Sequence, residues 1–382
     1  MNIILFVLGL SLLIFVHEFG HFLFAKLFNV YCLEFSIGMG PAIISKKIRK
    51  DPETTYSLRW LPIGGYVSMA GETGDNEEEK QLEIPYQRTI NGVNPWKRAI
   101  ITGAGVLFNF IFAILLLSIF TFGNGVSTKD NTIEVTKNSI ADKSGLSNGD
   151  KIIAVKNIEV KSGSHTVYID ESCVNTRCET PYFSSFKTYL DNEKLKNDTI
   201  EYAKDNPNAI IEQQITIIFS HAGTENTTIL YRNFNHTSNS FPLLGLNETT
   251  RIPSLAEGIT LTFERFGEIF TLMFKAISSL FTPEGFDSLG GVVSMYQMSK
   301  TTASQGVLAY IWYLAIISIN LGFFNLLPIP ALDGARLYIS ICEGITKKKL
   351  NTKIEGYMNL IGLVLLFGLM IVVTIKDIIG LF

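Results

Sequence analysis

The sequence predicts an α-helical membrane protein with four transmembrane helices and a separate, mostly-β domain outside the membrane. Three observations predict it. Of 382 residues, 47% are hydrophobic and only 18% are charged, where ordinary soluble proteins carry roughly 25% charged residues. Three runs, Ala99–Phe122, Val307–Leu327 and Tyr357–Ile375, contain no Asp, Glu, Lys or Arg. Each is close to the ~20 residues that cross a ~30 Å hydrocarbon core. The stretch between the second and third spans is instead rich in Asn, Thr, Ser and Lys, with short alternating apolar runs. This composition excludes disordered, collagen-like and coiled-coil chains. A net charge of -3 with no strongly basic face or tail gives no reason to expect nucleic acid.

The remaining span comes first in the chain. Ile3 to Ala25 is apolar except for Ser11, His17, Glu18 and His21. No basic leader precedes it and no small-x-small cleavage site follows, so it reads as a retained span and not a signal peptide. Lys26, Lys46, Lys47, Arg49 and Lys50 follow span one, and Lys97 and Arg98 precede span two. Arg336, Lys347, Lys348, Lys349 and Lys353 lie between spans three and four. Basic connections stay in the cytoplasm, which puts both termini and the polar region outside.

In that outer region Ile133–Val135, Ile152–Val155, Ile210–Phe219 and Ile229–Tyr231 are strand candidates. Ile140 to Val155 reads as a short helix, an Asn148-Gly149-Asp150 turn and a buried strand, and it resembles the core of a PDZ domain. From Ile252 to Phe281 the chain is apolar again, but Glu257, Glu264, Arg265, Glu268 and Lys275 exclude a span. Phe263, Phe266, Phe270, Phe274, Ile277 and Phe281 recur at helical spacing. This predicts an amphipathic helix, lying on the outer membrane surface or against the bundle.

Span one also carries the chemistry. His17-Glu18-Phe19-Gly20-His21 puts two imidazoles four residues apart on one helix face, where both can ligate one ion. Neutral imidazole suits Zn²⁺, and Glu18 beside it can act as a base. The chain has only five His. Ionisable groups inside an apolar span are costly unless a partner or a wet cavity receives them. A catalytic zinc needs a third protein ligand. At the end of span three, Asn325-Leu326-Leu327-Pro328-Ile329-Pro330-Ala331-Leu332-Asp333-Gly334 breaks the helix with two prolines and then offers a lone carboxylate. Asp333 could also serve as a plain helix cap. Depth agrees with pairing: from Ile3 to His17 and His21 a helix rises roughly 21 to 27 Å, toward the cytoplasmic side where Asp333 lies.

Phe15-Val16-His17-Glu18-Phe19-Gly20-His21-Phe22, together with Asn325 to Gly334, resembles the site-2 protease family of intramembrane zinc metalloproteases, of the bacterial regulator of sigma-E protease type. Pro62-Ile63-Gly64-Gly65-Tyr66-Val67 resembles that group's re-entrant β segment. Asn109 stands where the family has a Gly-Pro-x-x-Asn-Phe pattern. The resemblance implies His17, His21 and Asp333 as ligands of Zn²⁺ and Glu18 as catalytic base. It implies substrate handling by Asn320, Asn325 and the Gly64-Gly65-Tyr66 segment. Asn320 and Asn325 could equally hydrogen-bond between helices.

The resemblance also implies partners and place. These are single-span membrane proteins, such as anti-sigma factors or leftover signal peptides, in the bacterial cytoplasmic membrane. Three departures stand out: Gly105-Val106 where Gly-Pro is common, Ala335-Arg336 after Asp333-Gly334, and one PDZ-like core where two are frequent. A catalytically silent PDZ-type scaffold is the alternative function, and a metal transporter a third. The expected divisions are 1–28, transmembrane helix 1; 29–97, a cytoplasmic segment with the re-entrant element; 98–123, helix 2; 124–250, the PDZ-like domain. Then follow 251–305, the interfacial helix and linker; 306–334, helix 3; 335–355, a cytoplasmic connection; 356–382, helix 4. Of the four cysteines, Cys173 and Cys178 fall outside and predict a short disulfide loop, whereas Cys32 and Cys342 predict free thiols.

Overall fold

The computed structural model describes residues 2–72, 82–128, 131–169, 178–179, 190, 192–279 and 290–379. They form two compact units. One comprises Met1–Gly123 and Ser254–Phe382, and the other Asn124–Pro253.

The first unit is a helical bundle. Its α1 (Asn2–Leu27) and α2 (Pro95–Asn124) are long and apolar enough to cross a membrane. They meet backbone to backbone: a Cβ on Gly20 would stand 2.6 Å from the Ala104 carbonyl oxygen. Small residues at such a crossing let apolar helices gain packing where water supplies no driving force. The β hairpin β1 (Cys32–Ile48) and β2 (Asp51–Met69) joins them. Each strand bends and pairs twice. Phe35 lies opposite both Val67 and Tyr56, and Tyr56 lies opposite both Phe35 and Lys46. The hairpin is therefore a meander of four ribbons in the order 42–48, 51–59, 32–37, 65–69. Phe35, Tyr56 and Val67 present one apolar face to Phe15, Phe22 and Ala25 of α1. Lys26 at the end of α1 binds Asp51 at 2.9 Å, while a Cβ on Gly64 would touch Ile14 at 3.5 Å. Met39, Ile43, Ile44, Trp60 and Leu61 of the hairpin are exposed.

The second unit intervenes in the chain, and the bundle then resumes with α5 (Leu255–Ser279), α6 (Val292–Gln305), α7 (Val307–Leu326), α8 (Asp333–Thr346) and α9 (Thr352–Ile379). Of these, α7 and α9 have membrane-crossing length and hydropathy. Phe266, Ile269, Phe270 and Met273 of α5 pack with Leu116 and Leu117 of α2 and Tyr313 and Ile319 of α7. Of the two placements left open for this helix, its aromatic stripe takes the bundle. The Phe270 ring meets Phe323 edge-on at 5.3 Å. Tyr310 Oη donates to the Leu5 carbonyl at 2.8 Å and Tyr313 Oη to Met295 at 2.9 Å. Asp377 of α9 accepts from the Gly291 and Ser294 amides at 2.9 and 3.0 Å, capping α6.

The second unit is built on β5 (Lys151–Ser162), β8 (Glu212–His221) and β9 (Thr224–Asn233), with β6 (His165–Ile169) and β7 (Cys178–Glu179) pairing β5. Each expected strand coincides with or overlaps an observed one, although Ile210 and Ile211 precede β8; the first of them is β4 (Ile133–Val135), paired to β10 (Leu246–Glu248). Between β4 and β5 lie a single helical turn, α3 (Ile140–Lys143), and the Asn148-Gly149-Asp150 turn. Gly149 sits at φ +91°, a backbone state that costs glycine little. Buried Asp150 accepts from the Ser147 amide at 2.9 Å and fixes that turn. Ile152, Val155, Ile158, Ile215, Ile217 and Leu230 form the core with Leu195 of α4 (Glu193–Asp205). At the unit's ends β3 (Val126–Ser127) pairs with β11 (Thr250–Arg251).

Cys32 and Cys342 are free thiols. Cys173 lies outside the described residues, and so does the expected loop. Burial pushes the Cys32 thiol up to about 12, whereas Cys342 is exposed. Maleimide should therefore modify Cys342 in a Cys173→Ser/Cys178→Ser background and spare Cys32 until the protein is denatured. Mass spectrometry of both states checks this.

Candidate active site

The i, i+4 spacing on α1 turns His17 and His21 to one side, and both are 5% exposed. Asp333 arrives 316 residues after His17. Pro328 and Pro330 end α7, Leu327 caps it with extended backbone, and α8 starts at Asp333 itself. Ala331 in the intervening turn sits at φ 75°, and its amide is held by Asn359 of α9 at 3.2 Å. Gly334 folds back onto the end of α7, where a Cβ would stand 2.1 Å from the Leu327 carbonyl. Only glycine permits that approach. Two ion pairs then anchor α8. Arg98 of α2 pairs with Glu343, both nearly buried, and also donates to Ser340 at 2.9 Å. Arg336 pairs with Glu72 just beyond β2.

The result is a compact donor set. His17 Nε2 lies 2.8 Å from Asp333 Oδ2, and His21 Nε2 lies 3.2 Å from both His17 Nε2 and Asp333 Oδ2. The opposite ring nitrogens are also engaged. His21 Nδ1 donates to the Ile101 carbonyl at 2.8 Å, which leaves Nε2 as a lone pair aimed at the cluster. His17 Nδ1 lies 3.0 Å from Asn109 Nδ2. Asn109 is fully buried, and its Oδ1 has no hydrogen-bond partner. Turning the amide over lets Oδ1 accept from His17 Nδ1–H, which satisfies the orphaned oxygen and frees His17 Nε2 as a second lone pair.

These observations fit Zn²⁺. Two imidazole lone pairs and a carboxylate repel at such distances unless a cation lies among them. Tetrahedral zinc with bonds near 2.0–2.1 Å spaces its ligand atoms roughly 3.3 Å apart, close to what is seen. A cradle lies beside the donors. A Cβ on Gly105 would stand 2.3 Å from His21 Nε2 and 2.8 Å from His17 Nε2. Orienting partners on the far side of each imidazole complete the arrangement.

The other expected residues fall in two places. Glu18 stands outside the donor set and accepts from the Val67 amide of β2 at 3.3 Å. Gly64, at φ +79°, and Gly65 open the strand that ends in this contact. The Tyr66 hydroxyl turns to Arg59 and Glu34. Asn320 and Asn325 lie on α7, outside the donor set; Asn320 Oδ1 is buried without a partner. Sequence reading missed the orienting roles of Asn109 and Ile101 and the α8 anchors. Asn109 offered a signal, as a lone amide in an uncharged span. A backbone carbonyl offers none.

Replacing Gly105 by Ala should expel the metal, whereas Gly103→Ala should retain it, because a Cβ there meets only Leu337 at 3.5 Å. Asn109→Leu should weaken zinc retention about 10–100-fold. Zinc content and chelator competition on purified protein check all three.

Comparison with known proteins follows the same elements. The model of peptidase family M50 matches residues 5–369. Two clostridial proteins named "putative zinc metalloprotease" are similar along their whole length. The one from Clostridium perfringens is 30% identical over 381 residues, covering 99% of each chain. The one from Clostridium acetobutylicum is 30% identical over 380 residues, 99% of this chain and 97% of that one. An Enterococcus faecalis protein named "Probable protease eep" is 28% identical over 455 aligned positions, 99% and 98% of the two chains. The family match runs through α1, α7 and the start of α8 alike, and the chain belongs to peptidase family M50, the site-2 proteases, as a multi-pass membrane metalloprotease that uses zinc.

Proposed function

We propose that this chain is an intramembrane endopeptidase that cuts the transmembrane segments of single-span proteins in the bacterial cytoplasmic membrane. The observation that carries this reading is the depth of the donor set. His17 and His21 lie within a membrane-length helix, and Asp333 follows directly on the broken end of another. His17, His21 and Asp333 are the proposed ligands. Zinc held there would supply Lewis acidity, lowering the pKa of a bound water and polarising the scissile carbonyl. Glu18 takes the proton of the attacking water and returns it to the leaving amide nitrogen. The Val67 amide at 3.3 Å aims its carboxylate.

A helical substrate must first be unwound, because its backbone is closed by its own hydrogen bonds. The ribbon 65–69, with Gly65 and Tyr66 at its start, pairs on one side only among the described strands. Its other edge runs past Glu18 and can take an extended chain as an added strand. The unpaired Asn320 Oδ1 and half-buried Asn325 offer hydrogen bonds to backbone groups that unwinding frees. We read the hairpin as re-entrant. Two contacts support this: Asp51 at Lys26, and Gly64 at Ile14. Those two positions on α1 differ by about 18 Å in depth at 1.5 Å per residue. Exposed Ile43, Ile44, Trp60 and Leu61 suit lipid.

The basic connections support a cytoplasmic hairpin and α8, with both termini and Asn124–Pro253 outside. The order β4, α3, tight turn, β5 supports a PDZ-like fold for that unit, and the division of the chain set out from the sequence is retained on these grounds.

Purified protein and a single-span test substrate decide the central point. Glu18→Gln should lower cleavage by about 10²–10⁴-fold while zinc stays bound, because the amide cannot act as a base. Asp333→Ala should lose zinc and cleavage together. A Glu18→Gln protein that still cuts, or an Asp333→Ala protein with full zinc and normal turnover, overturns the reading.

A further inference from the structure

We infer that Arg59 and Glu34 are positioning residues: they lock the register of the strand edge at Gly65–Met69, and thereby choose which substrate bond meets Glu18. This rests on the reading that substrate adds to that edge. The side chains that carry it lie on the sheet face opposite α1. Arg59 Nη2 donates to Glu34 Oε1 at 2.7 Å and Oε2 at 3.0 Å, and to Tyr66 Oη at 2.7 Å. The Tyr66 hydroxyl in turn donates to Glu34 Oε2. Arg59 Nη1 donates to the Gly40 carbonyl at 2.6 Å, and its guanidinium lies 5.3 Å from the centre of the Tyr66 ring. Glu34 belongs to the central ribbon, Arg59 to its neighbour and Tyr66 to the edge. One guanidinium thus ties three ribbons and the Gly38-Met39-Gly40 bend together. The pair is about four-fifths buried, with side chains 21% and 20% exposed.

The edge needs such a tie. It opens with Gly64 and Gly65, which weaken a strand and give it no side chain to hold. The pairing of 32–37 with 65–69 shifts register once, between Cys32 and Glu34, beside the carboxylate that Arg59 holds. Slipping a strand by one residue moves every side chain to the other face and every amide out of line. Tyr66 is the first residue after the glycines with a side chain, and it is the one held. Charge-assisted hydrogen bonds are roughly twice as strong as neutral ones and resist slip better than backbone pairing alone.

The test uses zinc-loaded enzyme and a synthetic single-span substrate, with cleavage position read by mass spectrometry. Arg59→Gln should raise KM about tenfold, the equivalent of one lost charge-assisted bond. It should spread cleavage over neighbouring bonds and keep kcat and zinc content. Arg59→Lys, which keeps the charge without the second nitrogen that reaches Gly40, should hold the native cleavage position at intermediate KM. A general loss of hairpin stability would lower zinc or kcat without moving the cut. If Arg59→Gln loses zinc, Tyr66→Phe decides instead, since it deletes a single hydroxyl and should spread the cut in the same way. Cleavage at one native bond with unchanged KM overturns the lock. Substrates with single backbone esters near the scissile bond test the strand edge itself. If no ester weakens binding, the edge reading fails whatever Arg59 does.

Discussion

Three electron-rich atoms crowded together and largely shielded from solvent set the terms for this fold. Two imidazole nitrogens and a carboxylate oxygen converge to 2.8–3.2 Å between apolar helices. Low surrounding polarity strengthens both their mutual repulsion and their attraction for a cation. Much of the bundle can be read as support for that point. Gly20 brings the two helices together, Gly105 leaves room, Ile101 and Asn109 orient the rings, and Gly334 lets Asp333 enter. The Arg98–Glu343 pair is part of the same demand. Taking two charges out of water offsets much of their attraction, so its value lies less in stability than in fixing α8 on α2.

The chemistry was legible in the sequence because it obeys local rules. Helical spacing pairs His17 with His21, and Pro328 and Pro330 mark where Asp333 leaves its helix. The spans were legible from absent charge, and the strands of the second unit from alternation. What stayed hidden depends on distant partners. Nothing in Asn109 or Arg98 names His17 or Glu343, 92 and 245 residues away. The hairpin was legible only as a β segment. Its folding into four ribbons follows from bends at Gly38, Gly40 and Gly64, all at positive φ. Pattern alone does not reveal which ribbon lies in the middle. For α5 the aromatic stripe specified an apolar partner without specifying which one.

The hairpin and the helices solve one problem in different ways. Helices satisfy their backbone internally, whereas strands must borrow partners. Doubling each strand back on its neighbour gives the inner ribbons two partners apiece and leaves open edges only at the flanks. At one flank the Val67 amide has found the Glu18 carboxylate. The element thus carries unmet hydrogen-bonding capacity beside the reactive groups, where a rigid helix would have none to offer.

The 316-residue gap between His17 and Asp333 also bears on how the molecule is made. A chain emerging from the ribosome at 5–20 residues per second delivers Asp333 roughly 15–60 s after His17. Through that interval the two imidazoles have no carboxylate and the helices that bring it have not all been inserted. Until then the two imidazoles stand as an incomplete donor set. Asn359 of α9 holds the Ala331 amide and so supports the turn that presents Asp333, which ties the finished donor set to a helix made later still.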